Sequence, residues 1–203
     1  IRRVEVTSFV NPKRVPQMAD AEDVLRALAA NRRADVRYVG LVLNRKGFER
    51  ALAAGCNEVG MAVVASNTFN QRNQGVTTED SIRAWHEMAR AARDAGIRAQ
   101  VTVSAAFGCP FEGAVPLERV LSFVARYLDL GITGITLADT TGMANPRQVA
   151  HTVGVAVGLL GEQRESERSF AAACSGVRSR CASPSSSNPT MNFFTVAERS
   201  SGG

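Results

Sequence analysis

The segment VEVTSFV (residues 4–10) is a short β-branched run, followed by a loop carrying Pro12 and Pro16, a helix-patterned stretch over 19–30 and a second apolar run over 36–43. A strand, an amphipathic helix and another strand in this order form the repeating unit of a parallel sheet, because parallel neighbours need a long crossover connection, usually a helix. Outward from this unit the rhythm continues. Residues 46–54 read as a helix that stops at Gly55, and 58–64 as a third strand. A helix over 78–95 follows, with Thr78 as its cap and Gly96 as its stop, and Ile82, Trp85, Ala89 and Ala92 recur on one face. A fourth strand over 99–105 leads to a helix over 117–130. A fifth over 134–138 leads to a helix over 146–160, where Pro146 suits the first turn.

Five βα units belong either to an open doubly wound sheet or to an eight-unit barrel. No Gly-x-Gly-x-x-Gly turn follows the first strand, which removes the main support for a dinucleotide-binding sheet. Polar residues instead sit at the C-terminal ends of several strands, where barrels collect their functional groups. The expected fold is therefore α/β, a partial (β/α)8 TIM barrel of about five βα units over residues 1–160. From residue 161 to 203 the chain turns serine-rich, with CASPSSSNP and a terminal SSGG. This low-complexity tail is expected to be disordered or irregular, with no strand and no convincing helix before Phe193.

Composition narrows the function. With 203 residues, 45% hydrophobic and 21% charged, the chain has enough apolar sequence for one sizeable core. No apolar run is long enough to suggest a membrane helix, so no membrane partner is expected. The net charge of +5 is scattered among acids and only 6% of residues are aromatic, which argues against a nucleic-acid surface. Cys56, Cys109, Cys174 and Cys181 form no CxxC pair, so neither a disulfide framework nor a zinc site is expected. Cys56 follows a helix end and reads as a small apolar packing group. A cytoplasmic location is expected, or an organellar matrix if a targeting peptide precedes Ile1.

Several polar residues stand out against this frame. Glu5 interrupts an apolar strand, and simple alternation groups it with Thr7 and Phe9 on one face. Asp139 closes the apolar run GITGITLA at a strand end; its carboxylate either serves a site or caps the next turn together with Thr140 and Thr141. Ser66, Asn67, Asn70 and Asn73 occupy a polar loop after the third strand, and Thr102 lies within the fourth. Cys109 follows that strand between Gly108 and Pro110. His86 and His151 fall within helices and are left out of the candidate site.

Taken together, EVTSFVNPKRVPQMAD from Glu5, LNRKGFERALAAG from Leu43, SNTFNQRNQG from Ser66, FGCPFEG from Phe107 and LADTTG from Leu137 resemble successive segments of the hydroxymethylglutaryl-CoA lyases. The resemblance implies the second to sixth units of an eight-unit barrel. It also implies metal-dependent retro-aldol cleavage of 3-hydroxy-3-methylglutaryl-CoA (HMG-CoA) to acetyl-CoA and acetoacetate. Such a reaction needs a base for the tertiary hydroxyl proton, a Lewis acid for the substrate oxygens and stabilisation of the departing thioester enolate. Glu5 and Asp139 are then the expected catalytic residues, and Ser66, Asn73, Thr102, Cys109 and Thr141 the expected substrate contacts.

The resemblance further implies an acyl-CoA partner, a homo-oligomeric assembly and Mg2+ or Mn2+ as cofactor. The family's metal ligands, an aspartate beside an arginine on the first strand, a His-x-His pair on the seventh and a later asparagine, have no counterpart here. Its cysteine-bearing glycine-rich loop is missing as well. No metal ligand is therefore assigned, and the chain is expected to be inactive by itself, with two open sheet edges. The alternatives are a non-catalytic fragment or a related condensing enzyme, such as an isopropylmalate or homocitrate synthase.

Overall fold

The computed structural model describes residues 2–132, 134–164 and 192–198. Strand β1 (Arg3–Ser8) is followed by a 3₁₀ turn (Pro16–Met18), α1 (Ala21–Ala29), β2 (Arg37–Leu41), α2 (Arg45–Ala53) and β3 (Glu58–Val64). Then come α3 (Asn67–Gln74), α4 (Thr78–Asp94), β4 (Arg98–Ser104), α5 (Leu117–Asp129), β5 (Gly134–Asp139), α6 (Pro146–Arg164) and β6 (Asn192–Glu198). The sheet runs β1-β2-β3-β4-β5-β6, and its first five strands are parallel. Successive strands lie side by side with helices between them, the unit expected from the sequence.

One expectation is overturned at the far edge. β6 pairs antiparallel with β5, from Gly134↔Glu198 to Asp139↔Asn192, so the β5 edge, expected to be open, is covered. The sequence NFFTVAE carries the aromatic and β-branched residues that suit a strand, and an unpaired edge is a template for just such a segment. The helix α6 runs on to Arg164, past the expected start of the irregular tail at residue 161; the rest of that expectation falls on 165–191 and 199–203, outside the described residues, as do Cys174 and Cys181.

A second correction concerns β1. Glu5 pairs with Val39, but Thr7 pairs with Gly40 and Ser8 with Leu41, so one residue is extra in β1. A bulge resets the alternation. Glu5 and Ser8 share the face of Val39 and Leu41, whereas Thr7 and Phe9 turn to the helix side. Phe9 is 1% exposed, and its ring lies against Gly40 and Cys56. Cys56 packs there as expected, and burial pushes its thiol pKa up to about 11.

The core lies between the sheet's helix face and the helices. Val59, Met61, Val63, Val101, Val103, Ile135 and Leu137 point outward from the strands, and Phe48, Ile82, Trp85, Met88, Val124 and Tyr127 meet them. The opposite, concave face carries Glu5 and Ser8 on β1 and the paired Thr102 and Thr136 on β4 and β5. At its N-terminal end Arg3 donates to both Glu58 and Gln100, and Arg37 stands 3.9 Å from Glu58. Glu58 is 1% exposed, so these cations compensate a buried carboxylate. No helix among the described residues is long and apolar enough to cross a membrane.

Candidate functional site

The segment 67–74 is a helix rather than the polar loop expected from its composition. Ser66 is extended and its Oγ accepts the Phe69 N–H at 3.2 Å, capping α3, while Gly75 ends the helix at φ 80° in the left-handed region. Asn70 is fully buried and structural: its Oδ1 accepts from the Val64 N–H, and its Nδ2 donates to the Val76 carbonyl and Ser81 Oγ. Asn67 accepts the Thr78 N–H. The cap of α4 is Thr77 rather than Thr78, whose hydroxyl instead reaches the Val64 carbonyl. Asn73 is exposed on α3 and makes no hydrogen bond among the described residues.

The loop after β4 locks onto this helix. Cys109 and Gly113 exchange backbone hydrogen bonds at 2.8 Å, closing a tight hairpin. Inside it the Cys109 thiol donates to Ser66 Oγ at 2.9 Å, and the Phe111 and Glu112 N–H groups donate to its sulfur at 3.4 Å. Both Cys109 and Ser66 are 0% exposed. Glu112 accepts the Thr68 N–H at 2.7 Å, a contact that holds its carboxyl below the usual range. The Phe111 ring packs edge-on against Phe69, with centroids 5.4 Å apart.

At the end of β5 the Asp139 carboxylate is buried, 4% exposed, and caps the following turn. Its Oδ1 accepts the Met143 N–H at 3.0 Å, and both oxygens lie 3.3 Å from the Ala144 nitrogen. Thr140 Oγ1 accepts the N–H of Ala105, a buried non-glycine residue held at φ 53°, so the ends of β4 and β5 are tied together. The Thr141 hydroxyl is buried and has no hydrogen-bond partner among the described residues. An unpartnered buried hydroxyl at a strand end is free to meet a ligand.

Glu5 lies on the concave face, as the site reading requires, though on β1, with three strands between it and the strand of Asp139. Its side chain is exposed, yet the surrounding chain partly desolvates the carboxyl and raises its pKa. No cation pairs with it among the described residues. Ser8, which alternation hides, joins Glu5 on this face through the bulge, and its Oγ is buried without a hydrogen-bond partner among the described residues. Only a bulge signal would have revealed it, and TSF carries none. Thr102 faces the same side in mid-strand, between Ala62 and Thr136.

The structure thus brings Ser66 and Cys109 into contact and sets Asp139 and Thr141 at the neighbouring strand end. Glu5 and Thr102 line the adjoining concave face, and Asn73 stands apart on α3. His151 is exposed and His86, half-buried, has its pKa lowered by burial; both lie on helices, α6 and α4. Among the described residues no group of three or more His, Cys, Asp or Glu side chains is placed to hold a metal ion.

The HMGL-like family profile matches residues 1–160. Hydroxymethylglutaryl-CoA lyase of Pseudomonas mevalonii is 41% identical over 150 residues, covering 74% of this chain and 49% of that protein. (R)-citramalyl-CoA lyase of Chloroflexus aurantiacus is 42% identical over 158 residues, covering 74% and 50%. Among solved structures, an HMG-CoA lyase from A. baumannii in complex with coenzyme A and 3-methylmalate aligns with a TM-score of 0.74 and 42% identity, over 78% of this chain and 51% of that one. The Bacillus subtilis HMG-CoA lyase aligns with a TM-score of 0.74 and 35% identity, over 79% and 52%. The chain spans about half the length of the relatives it matches.

Proposed function

The chain belongs to the HMGL-like family, and from that premise we propose that it supplies the acyl-CoA-binding strand ends of a carbon–carbon lyase acting on HMG-CoA. The observation that carries this reading is the clustering of Ser66, Cys109, Asp139 and Thr141 at the C-terminal ends of β3, β4 and β5. The reaction takes a proton from the tertiary hydroxyl and breaks the adjacent carbon–carbon bond. The electron pair passes to the thioester enolate, which is protonated to acetyl-CoA, and the hydroxyl carbon becomes the ketone of acetoacetate. Glu5, with its raised pKa, is a carboxyl suited to holding a proton on the concave face.

Magnesium or manganese, hard cations that prefer oxygen, would supply Lewis-acid stabilisation to the hydroxyl and carboxylate oxygens of such a substrate. The described residues do not compose its donor set: no cluster of three ligands is present, and backbone N–H groups engage both oxygens of Asp139. No step is therefore assigned to the metal.

The near-equal identity to a citramalyl-CoA lyase supports a second reading, with citramalyl-CoA as the substrate. Calorimetry on the purified chain with each thioester separates the two, with acetoacetate and pyruvate release followed in the presence of magnesium. The proposal expects tighter binding of HMG-CoA and no acetoacetate release by this chain alone. Tighter binding of citramalyl-CoA would reassign the substrate. Binding of neither would overturn the reading, and sustained acetoacetate release would overturn the view that the donor set is incomplete.

A further inference from the structure

Arg72 and Arg14, at the C-terminal end of the strands, have no acidic partner among the described residues. Arg26, Arg45, Arg50, Arg83 and Arg126 each form an ion pair with a carboxylate. Arg72, in the last turn of α3, instead lies over the Phe111 ring, its guanidinium carbon 4.3 Å from the centroid. Arg14, from the loop after β1, places its guanidinium nitrogens 3.5 and 3.6 Å from where a side chain on Gly75 would begin. Neither forms an ion pair among the described residues. The acid nearest in sequence to Phe111, Glu112, is turned to the other end of α3, where it accepts the Thr68 N–H.

Stacking fixes a guanidinium plane while leaving its N–H edge free, the geometry that phosphate recognition uses. Phe111 is 45% exposed, so the platform is open to solvent. Helix α3 lies between the two loops, with Arg14 against its C-terminal end and Phe111 along its side. We propose that Arg72, stacked on Phe111, together with Arg14 forms a subsite for the phosphate groups of the coenzyme A arm. This inference rests on the acyl-CoA reading above and assigns the charged end of the ligand to a place apart from Ser66, Cys109 and Thr141.

The test is calorimetry on the purified chain with three probes, coenzyme A, pantetheine and adenosine 3′,5′-bisphosphate, using the wild type, Arg72→Gln and Arg14→Gln. Circular dichroism confirms that each variant is folded. The subsite predicts that Arg72→Gln weakens coenzyme A binding about tenfold, as expected for loss of a charge-assisted contact, and that Arg14→Gln weakens it less. Pantetheine binding should be unchanged in both. Equal coenzyme A affinity in Arg72→Gln and wild type would overturn the subsite while leaving the acyl-CoA reading intact, as would an equal loss of pantetheine binding. Wild-type binding of the bisphosphate alone, lost in Arg72→Gln, would keep the anion site and overturn the acyl-CoA reading. Binding of none of the probes would overturn both.

Discussion

The thiol of Cys109 lies 2.9 Å from Ser66 Oγ, and this single contact joins the hairpin after β4 to the cap of the helix after β3. Each partner has a second task. Ser66 satisfies the Phe69 N–H, and Cys109 receives two backbone N–H groups from its own hairpin. Cys109→Ala should therefore remove the buried contact to Ser66 and two part-buried N–H contacts to sulfur, and cost about 1–2 kcal/mol. Cys109→Ser, which keeps a donor and an acceptor at the position, should cost less. Urea unfolding followed by circular dichroism measures both, and an unchanged midpoint in Cys109→Ala would contradict the interlock.

Replacing a mid-helix glycine by alanine ordinarily stabilises a protein by about 0.5–1 kcal/mol. Gly47 in α2 should reverse that sign. A Cβ there would run into the backbone carbonyl oxygen of Phe9, which the hydrogen bond from Phe9 N–H to the Leu41 carbonyl helps hold in place. Gly47→Ala is expected to destabilise by about 1–3 kcal/mol, the usual range for overpacking, and to lower the melting temperature. A stabilised variant would show that β1 and α2 are not this close.

Partial burial raises the pKa of Glu5, so the folded chain holds this proton to higher pH than the unfolded chain does. Between the two pKa values the native state binds more protons, and its stability falls as the pH rises. Glu5→Gln should therefore raise the melting temperature at neutral pH. The gain should fade as the pH drops into and below the ordinary carboxylate range. A variant less stable than wild type at neutral pH would indicate that Glu5 is ion-paired.

The five βα units were legible because strand and helix periods differ and because Gly55, Gly96 and Pro146 punctuate them. The covered β5 edge was not legible. A serine-rich stretch separates NFFTVAE from the rest, and nothing local says which edge it joins. The bulge in β1 escaped for a related reason: alternation assumes unbroken pairing, and one extra residue sends Phe9 to the helices and Ser8 to the concave face. Composition also misled at residues 67–74, where asparagines read as loop, although Ser66 and Gly75 supply a start and a stop. Ser66, Cys109 and Thr141 became site candidates through their motifs. Only the structure reveals that Asp139 spends its oxygens on the turn after β5, or that the hydroxyls of Thr141 and Ser8 lack partners among the described residues.

The central claim is that this chain carries the acyl-CoA-binding strand ends of a lyase barrel, and equilibrium binding of HMG-CoA to the wild type and to Thr141→Val tests it most directly. Because the Thr141 hydroxyl has no hydrogen-bond partner among the described residues, its removal should leave the melting temperature unchanged or raised. The account predicts saturable binding by the wild type and roughly tenfold weaker binding by Thr141→Val, the scale of one lost hydrogen bond. Absence of binding by the folded wild type, or equal affinity in the two, would contradict it.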